Sequence, residues 1–340
     1  MNYKTPHNKL QKPPVHVGWI ITTKCNINCM HCYSSKFGEE ELEDEKKFLL
    51  VKELSEAGVK KVDLTGGEIF ILPNILDLIG YISSLGIELT IFTNGTLLTA
   101  GVVELLSNYQ PNIVLSLDGA KKETHETLRG KNSWEKVMNA ARLLKERGIF
   151  FSTLTAINGY NYTEVEEQIL LAKEIGAKKV SFILTMPVGR ASDIMILTHN
   201  QIVEVLKRIN AAANNTQFPV TLCCMPFADL WVDSEYVTIE HCRTDEPEII
   251  DIDPLGNLLL CDVSEFCYSN ILKTGFLSAL KKQEEDTLYL SIFNPELEEP
   301  CLKCENSEKC KGGCYSRAEA YGNILSPDPL CPKVGKFRVL

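Results

Sequence analysis

An α/β fold is predicted: a partial (β/α)6 TIM-like barrel followed by a small, irregular α+β domain rich in cysteine. Three observations carry that expectation. Short β-rich runs bounded by turn residues alternate with amphipathic stretches six times between residues 15 and 214, the pattern of a parallel sheet with helical crossovers and chemistry at the carboxyl ends of its strands. Beyond residue 214 the alternation gives way to irregular, cysteine-rich sequence. At 340 residues the chain is longer than most single cores, so a large domain at 1–215 and a smaller one at 216–340 are the natural division.

The first strand, 15–22, feeds directly into a loop holding Cys25, Cys29 and Cys32. Residues 43–57 place Phe48, Leu49, Val51, Leu54 and Ala57 at mostly helical spacing, and Gly58 stands where such a helix would stop. Strands at 61–64, 87–93, 112–118, 150–157 and 179–185 then alternate with helices at 74–85, 99–107, 133–147, 163–175 and 199–214. A full eight-unit barrel would need two more repeats, so an open, six-unit barrel ending in the 199–214 helix fits better. Past the boundary, 248–252 and 257–260 flank Asp253-Pro254-Leu255-Gly256, a β-hairpin with turn residues at its middle.

Composition removes several classes of function. A hydrophobic share of 44% with 24% charged residues fits a globular chain, and no apolar run approaches the length of a membrane span. Residues 1–15 are polar, contain Pro6, Pro13 and Pro14, and lack the apolar core of an export signal. A cytoplasmic protein is expected. The net charge of −10 argues against phosphate-backbone binding, so neither nucleic acid nor membrane is an expected partner. Thirteen cysteines without an export signal read as metal ligands rather than disulfides, because cytosolic thiols are kept reduced.

The loop Cys25-Asn26-Ile27-Asn28-Cys29-Met30-His31-Cys32 can turn three sulfurs toward one point, where a closed metal site needs four. Zinc ribbons use paired C-x2-C knuckles instead. The stretch resembles the radical S-adenosylmethionine (radical SAM) signature C-x3-C-x2-C. That resemblance implies a [4Fe-4S] cluster whose fourth iron is held by the amino and carboxylate groups of S-adenosyl-L-methionine.

Residues at successive strand ends add to the resemblance. In Thr65-Gly66-Gly67-Glu68 two glycines allow close approach of a ligand and a carboxylate stands ready for an ammonium. The run is similar to the family's GGE motif, with Ile69 where proline is usual, and implies that Glu68 holds the methionine amino group. Thr93-Asn94-Gly95-Thr96 and Ser116-Leu117-Asp118-Gly119 end the next two strands. By resemblance Thr93 and Asn94 belong to the cofactor site, and Ser116 and Asp118 lie near the ribose. His125 and Arg129-Gly130 resemble an H-x3-RG pattern, with Arg129 a candidate for the methionine carboxylate; His125 by itself reads as a solvated loop histidine. Pro187-Val188-Gly189-Arg190 resembles the segment that lies against the adenine, where backbone amides could read the base edge.

The second cysteine set runs Cys242-x13-Gly256-x4-Cys261, then Cys301-x2-Cys304-x5-Cys310-x3-Cys314, then Cys331 after sixteen more residues. This resembles the seven-cysteine SPASM pattern, which makes the small domain an iron–sulfur domain with two auxiliary clusters. The resemblance implies an outer cluster on Cys301, Cys304, Cys310 and Cys331, and an inner one on Cys242, Cys261 and Cys314; a cysteine serving the neighbouring cluster has precedent in two-cluster ferredoxins. Cys267 is the nearest candidate for a fourth inner ligand. Without it the inner cluster has an open iron that substrate could coordinate. Cys223 and Cys224 read as buried small residues. Asp262 looks like the acid that accepts a proton in sulfatase-maturating relatives; it also reads as a strand-end aspartate bonded to backbone.

The function implied is a maturase that forms a 5′-deoxyadenosyl radical, abstracts hydrogen from a substrate carbon, and oxidises or crosslinks a side chain of a ribosomal peptide or protein. A second reading is oxidative modification or decarboxylation of a tetrapyrrole or similar cofactor precursor, and a third is a non-catalytic electron-transfer protein. The third would leave Glu68, Ser116 and Arg129 without a purpose. An electron donor such as flavodoxin or ferredoxin is the implied partner. Because about fifteen residues precede the first strand, a peptide leader would be recognised by a separate leader-binding protein or by the barrel mouth.

Overall fold

In a computed structural model, which describes residues 16–242 and 249–335, strand β1 (His16–Thr22) is buried along nearly its whole length. The two-residue strand period sends Val17, Trp19 and Ile21 into the helix-side core and His16, Gly18, Ile20 and Thr22 to the opposite, inner face. A strand covered on both faces reads as a nearly continuous apolar run, as this one does. Val15 and Glu248, included in the expected strand and hairpin, lie outside the described residues.

Helix α1 (Asp44–Glu56), β2 (Lys61–Gly66), α2 (Ile75–Ser84), β3 (Glu88–Thr93), α3 (Ala100–Leu106) and β4 (Asn112–Ser116) follow close to the expected bounds. Two helices then stand where one was expected, α4 (Lys122–Arg129) and α5 (Ser133–Glu146). The first was hidden by its charge: of eight residues only His125 and Leu128, three apart, are buried. The barrel continues through β5 (Phe151–Ile157), α6 (Val165–Ile175), β6 (Val180–Leu184) and α7 (His199–Thr216). Helix α7 starts on a capping box in which Thr198 and Gln201 satisfy each other's backbone N–H groups.

The parallel array does not stop at residue 215. Strands β7 (Val220–Cys223) and β8 (Val237–Ile239) extend it beyond β6. On the other side β9 (Ile249–Ile252) pairs in parallel with β1, β10 (Asn257–Leu259) pairs antiparallel with β9, and β11 (Cys267–Asn270) pairs antiparallel with β10. The sheet order is β11-β10-β9-β1-β2-β3-β4-β5-β6-β7-β8, so the carboxyl third is built onto both edges of the barrel sheet. The hairpin expected from 248–252 and 257–260 is present in its described residues as β9 and β10, with β11 outside it. Short helices α8 (Ile271–Thr274), α9 (Phe276–Glu284), α10 (Thr287–Phe293), α11 (Ser307–Cys310) and α12 (Tyr315–Ala320) complete the chain. Among the described residues no helix is long and apolar enough to cross a membrane.

Candidate functional site

Because β1 to β6 are parallel, their carboxyl ends form one rim, and the cysteine loop crosses it directly after β1. The loop is pinned from three sides. The Gly67 N–H donates to Thr22 O at 2.8 Å and the Glu68 N–H to Lys24 O at 2.9 Å. A Cβ at Gly67 would lie 2.0 Å from Lys24 O, and one at Gly66, whose φ is +139°, 2.1 Å from Thr22 O. The two glycines therefore admit the chain leading into Cys25, where the sequence suggested that they admit a ligand. From β4 onward, the Met30 N–H donates to Leu128 O at 2.9 Å. From the loop after β6, the Arg190 N–H reaches Cys32 O at 3.1 Å and its Nε reaches Cys29 O at 2.9 Å. Gly189, at φ +66°, is fixed by the same crossing, since a Cβ there would sit 2.2 Å from Cys32 O. The Arg190 amide expected to read a base edge is thus spent on the cysteine loop.

Cys25 is exposed, Cys29 buried and Cys32 half-buried. Cys25, Asn26, Ile27, Asn28, Cys32, Ser35, Thr23 and Arg190 line a cavity of about 340 Å³. Burial pushes the Cys29 thiol up to about 11, partly offset by Arg129, whose Nη1 lies 3.9 Å from the sulfur. Asn94 Nδ2 approaches Cys25 Sγ at 3.8 Å and Asn26 Oδ1 at 3.0 Å, tying the end of β3 to the loop. One zinc ion bound at about 2.3 Å by each sulfur would draw its thiols within about 4.6 Å of one another. Among the described residues the only three metal-capable groups within 4.8 Å are Asp251, Cys261 and Asp262. The three loop thiols are not all within that distance of one another, so they are not gathered around a single zinc ion.

Glu68 is fully buried. Its carboxylate accepts from Thr93 Oγ1 at 2.8 Å, the Asn94 N–H at 2.8 Å and the Phe70 N–H at 3.2 Å. Burial raises its pKa against these bonds. Asp118, expected near a ribose, is also fully buried and has both oxygens taken: Oδ2 by Arg129 Nε at 2.5 Å and His31 Nε2 at 3.0 Å, Oδ1 by the Ala156 N–H at 2.7 Å. Burial alone would raise Asp118, but Arg129 and His31 outweigh it and hold the carboxyl below the usual range. Arg129, a candidate for a ligand carboxylate, is correspondingly committed to Asp118. Ser116 ends β4 half-buried, paired with Leu154. His125 is not solvated: it is fully buried on α4, accepts from the Asp118 N–H at 3.3 Å, and packs edge-on against Trp134.

The carboxyl third brings its own groups to this rim. Tyr33, next to Cys32, sits against Asp262 and Thr65, and burial, then the Asp262 charge, push its phenol well above the usual range. Lys36 Nζ donates to Ser264 O at 2.6 Å. The Asp262 N–H donates to Asp251 Oδ2 at 3.1 Å, and Cys261 Sγ to Asp262 Oδ1 at 3.4 Å. Withdrawal from water, then the facing Asp262, push Asp251 well above the usual carboxylate range. Asp251 fits because residue 18 is glycine: a Cβ there would lie 2.4 Å from Asp251 Oδ1. Cys301, Cys304, Cys310 and Cys331 together line a small enclosed cavity. Cys242, Cys261 and Cys314 all lie near Tyr315, and Cys267 is exposed on β11, opposite Leu259. Sequence missed Tyr33, His31, Asp251 and the buried pair Arg317–Asp328, whose atoms meet at 2.7–2.8 Å. Tyr33 and His31 had a signal in their place beside the loop cysteines; the other three had none.

A parallel barrel with a three-thiol loop after its first strand defines a class. The Radical SAM superfamily model matches residues 19–187, and the chain belongs to that superfamily. It is an enzyme, and its loop thiols fit the [4Fe-4S] cluster at which the superfamily uses S-adenosylmethionine. Among curated relatives, the chain is 28% identical to the antilisterial bacteriocin subtilosin biosynthesis protein AlbA of Bacillus subtilis, covering 89% of this chain and 67% of that protein. It is 26% identical to the AdoMet-dependent heme synthase of Methanosarcina barkeri (94% and 96%) and 24% to the mycofactocin maturase MftC of Mycolicibacterium smegmatis (94% and 82%). In fold it is similar to Streptococcus suis SuiB bound to S-adenosylmethionine, with TM-score 0.74 at 18% identity, covering 94% of this chain and 77% of that one. It is also similar to anSMEcpe with bound AdoMet, with TM-score 0.76 at 20% identity, covering 94% and 95%.

Proposed function

We propose that this chain is a SPASM-type radical SAM maturase that oxidises or crosslinks a side chain of a ribosomal peptide. Cys25, Cys29 and Cys32 would hold the first cluster, with Glu68, Asn94, Ser116, Gly189 and Arg190 around its cofactor. Cys301, Cys304, Cys310 and Cys331 would hold an outer auxiliary cluster, and Cys242, Cys261 and Cys314 an inner one. Bound there, the cluster and S-adenosylmethionine supply a carbon radical able to take hydrogen from an unactivated position. The chain positions, excludes water and moves protons.

The observation that carries the reading is the contact of Asp262 with Tyr33, which places a carboxylate of the carboxyl third one residue from the loop cysteine Cys32. Asp262 is thereby within reach of a substrate seated at the rim and can accept the proton released when that substrate is oxidised. Relatives named for bacteriocin and mycofactocin maturation support the peptide substrate. The near end-to-end match to the heme synthase, at 96% of that protein, supports a second reading, oxidative decarboxylation of a porphyrinoid. A flavodoxin- or ferredoxin-type donor and a cytoplasmic setting complete the proposal.

Anaerobic reconstituted protein, incubated with reductant, S-adenosylmethionine and candidate peptides or porphyrinoids, is tested by mass spectrometry. Loss of two hydrogens from a peptide is expected. Loss of carbon dioxide from a porphyrinoid would support the second reading instead, and Cys29→Ala should abolish 5′-deoxyadenosine formation in either case.

A further inference from the structure

One cysteine outside the seven-membered pattern stands where the inner group lacks a ligand. Cys224 follows β7 directly, and its backbone is held at φ +56°, a left-handed conformation that a side-chain-bearing residue rarely adopts. Arg317 Nη2 donates to Cys224 O at 2.6 Å and holds that turn. The same buried guanidinium grips Asp328, whose Oδ2 accepts the Cys314 N–H at 3.0 Å. A single ion pair thus fixes the backbones of Cys224 and Cys314 together. The turned side chain of Cys224 lies beside that of Cys242, and close enough to Cys261 and Cys314 to act on both electrostatically. Its neighbour Cys223, the last residue of β7, lies against Glu240 instead.

We propose that Cys224 is the fourth ligand of the inner auxiliary cluster, joining Cys242, Cys261 and Cys314, so that this cluster has no iron open to substrate. The inference rests on the SPASM-type reading above and sharpens it. Four sulfurs arrive from four separate segments: the end of β7, the stretch before β9, the turn after β10 and the start of α12. A cluster closed by four thiolates passes electrons and does not grip substrate, so substrate selection falls to the barrel mouth and the surface around it.

The test uses the full chain with Cys25, Cys29 and Cys32 all replaced by alanine, so that only auxiliary clusters remain. After anaerobic reconstitution and reduction, the probe is 13C-cyanide, read by electron–nuclear double resonance of the cluster signal. No 13C coupling is expected in this parent or after Cys267→Ala, whereas Cys224→Ala should gain one. Coupling in the parent, coupling gained by Cys267→Ala, or a Cys224→Ala spectrum identical to the parent would each overturn the assignment. If Cys224→Ala does not fold or loses the cluster, Cys224→Ser decides: a retained cluster with shifted g values supports ligation, and parental g values overturn it. A parent with iron and sulfide for only one auxiliary cluster would defeat the underlying two-cluster reading as well. That outcome is distinguishable because the inner signal would already be missing before any change at Cys224.

Discussion

His125 carries the clearest pH dependence at the scale of one residue. Burial, then the neighbouring Arg129, lower its pKa to about 4, so between about 6.5 and 4 the unfolded chain binds a proton that the folded chain refuses. The stabilisation is complete above about 6.5 and is lost as pH falls, at up to about 1.4 kcal/mol per pH unit. Urea unfolding from pH 7 to 4.5 should show a shallower decline for His125→Gln than for wild type; parallel curves would contradict this. Gly67 gives a steric prediction. With its would-be Cβ 2.0 Å from a backbone oxygen, Gly67→Ala should cost about 1–3 kcal/mol or more and reduce iron retained by the cysteine loop. Gly38→Ala, where nothing lies within 4 Å of the added carbon, is the control and should match wild type in both midpoint and iron content. Legibility at this scale was uneven. Cysteines announce themselves by spacing, whereas the Asp118–Arg129–His31 cluster joins three segments whose meeting no local pattern records. The reading of His125 as a solvated loop histidine went astray for that reason.

Single elements were legible where hydrophobic period and caps agreed. Helix α7 has both, a buried stripe of Ile202, Val205, Leu206 and Ile209 and the Thr198 and Gln201 box. Removing the box with Thr198→Ala should lower stability by about 1 kcal/mol, seen as a shift in urea midpoint with an unchanged slope. Helix α4 was missed because its eight residues, four of them charged and two buried, show no stripe. Strands β7 and β8 were missed for a different reason: Val220–Cys223 and Val237–Ile239 are four and three residues long, too short for alternation to establish a period. Their existence is a tertiary fact, since each is stabilised by pairing with a strand already in place.

Across the whole molecule, the change of composition near residue 215 marks a change of chemistry while the sheet continues. Cutting there would strip β9 from one side of β1 and β7 from the free side of β6, exposing two long edges of unpaired N–H and C=O groups. A 1–215 fragment should therefore aggregate, and the intact chain should unfold in one transition. A soluble, monomeric fragment by size-exclusion chromatography, or two separated melting steps in the intact chain, would show the two parts to be independent.

The place of β1 between β2 and β9 also bears on how the protein is made. On the ribosome His16–Thr22 emerges early, while its second neighbour Ile249–Ile252 is translated only after the whole barrel. Throughout that interval the strand nearest the cysteine loop has one flank bare, and pairings between such distant positions form slowly. The contacts that hold the cysteine loop come from residues made before β9, while the flank of β1 beneath it closes only when β9 arrives.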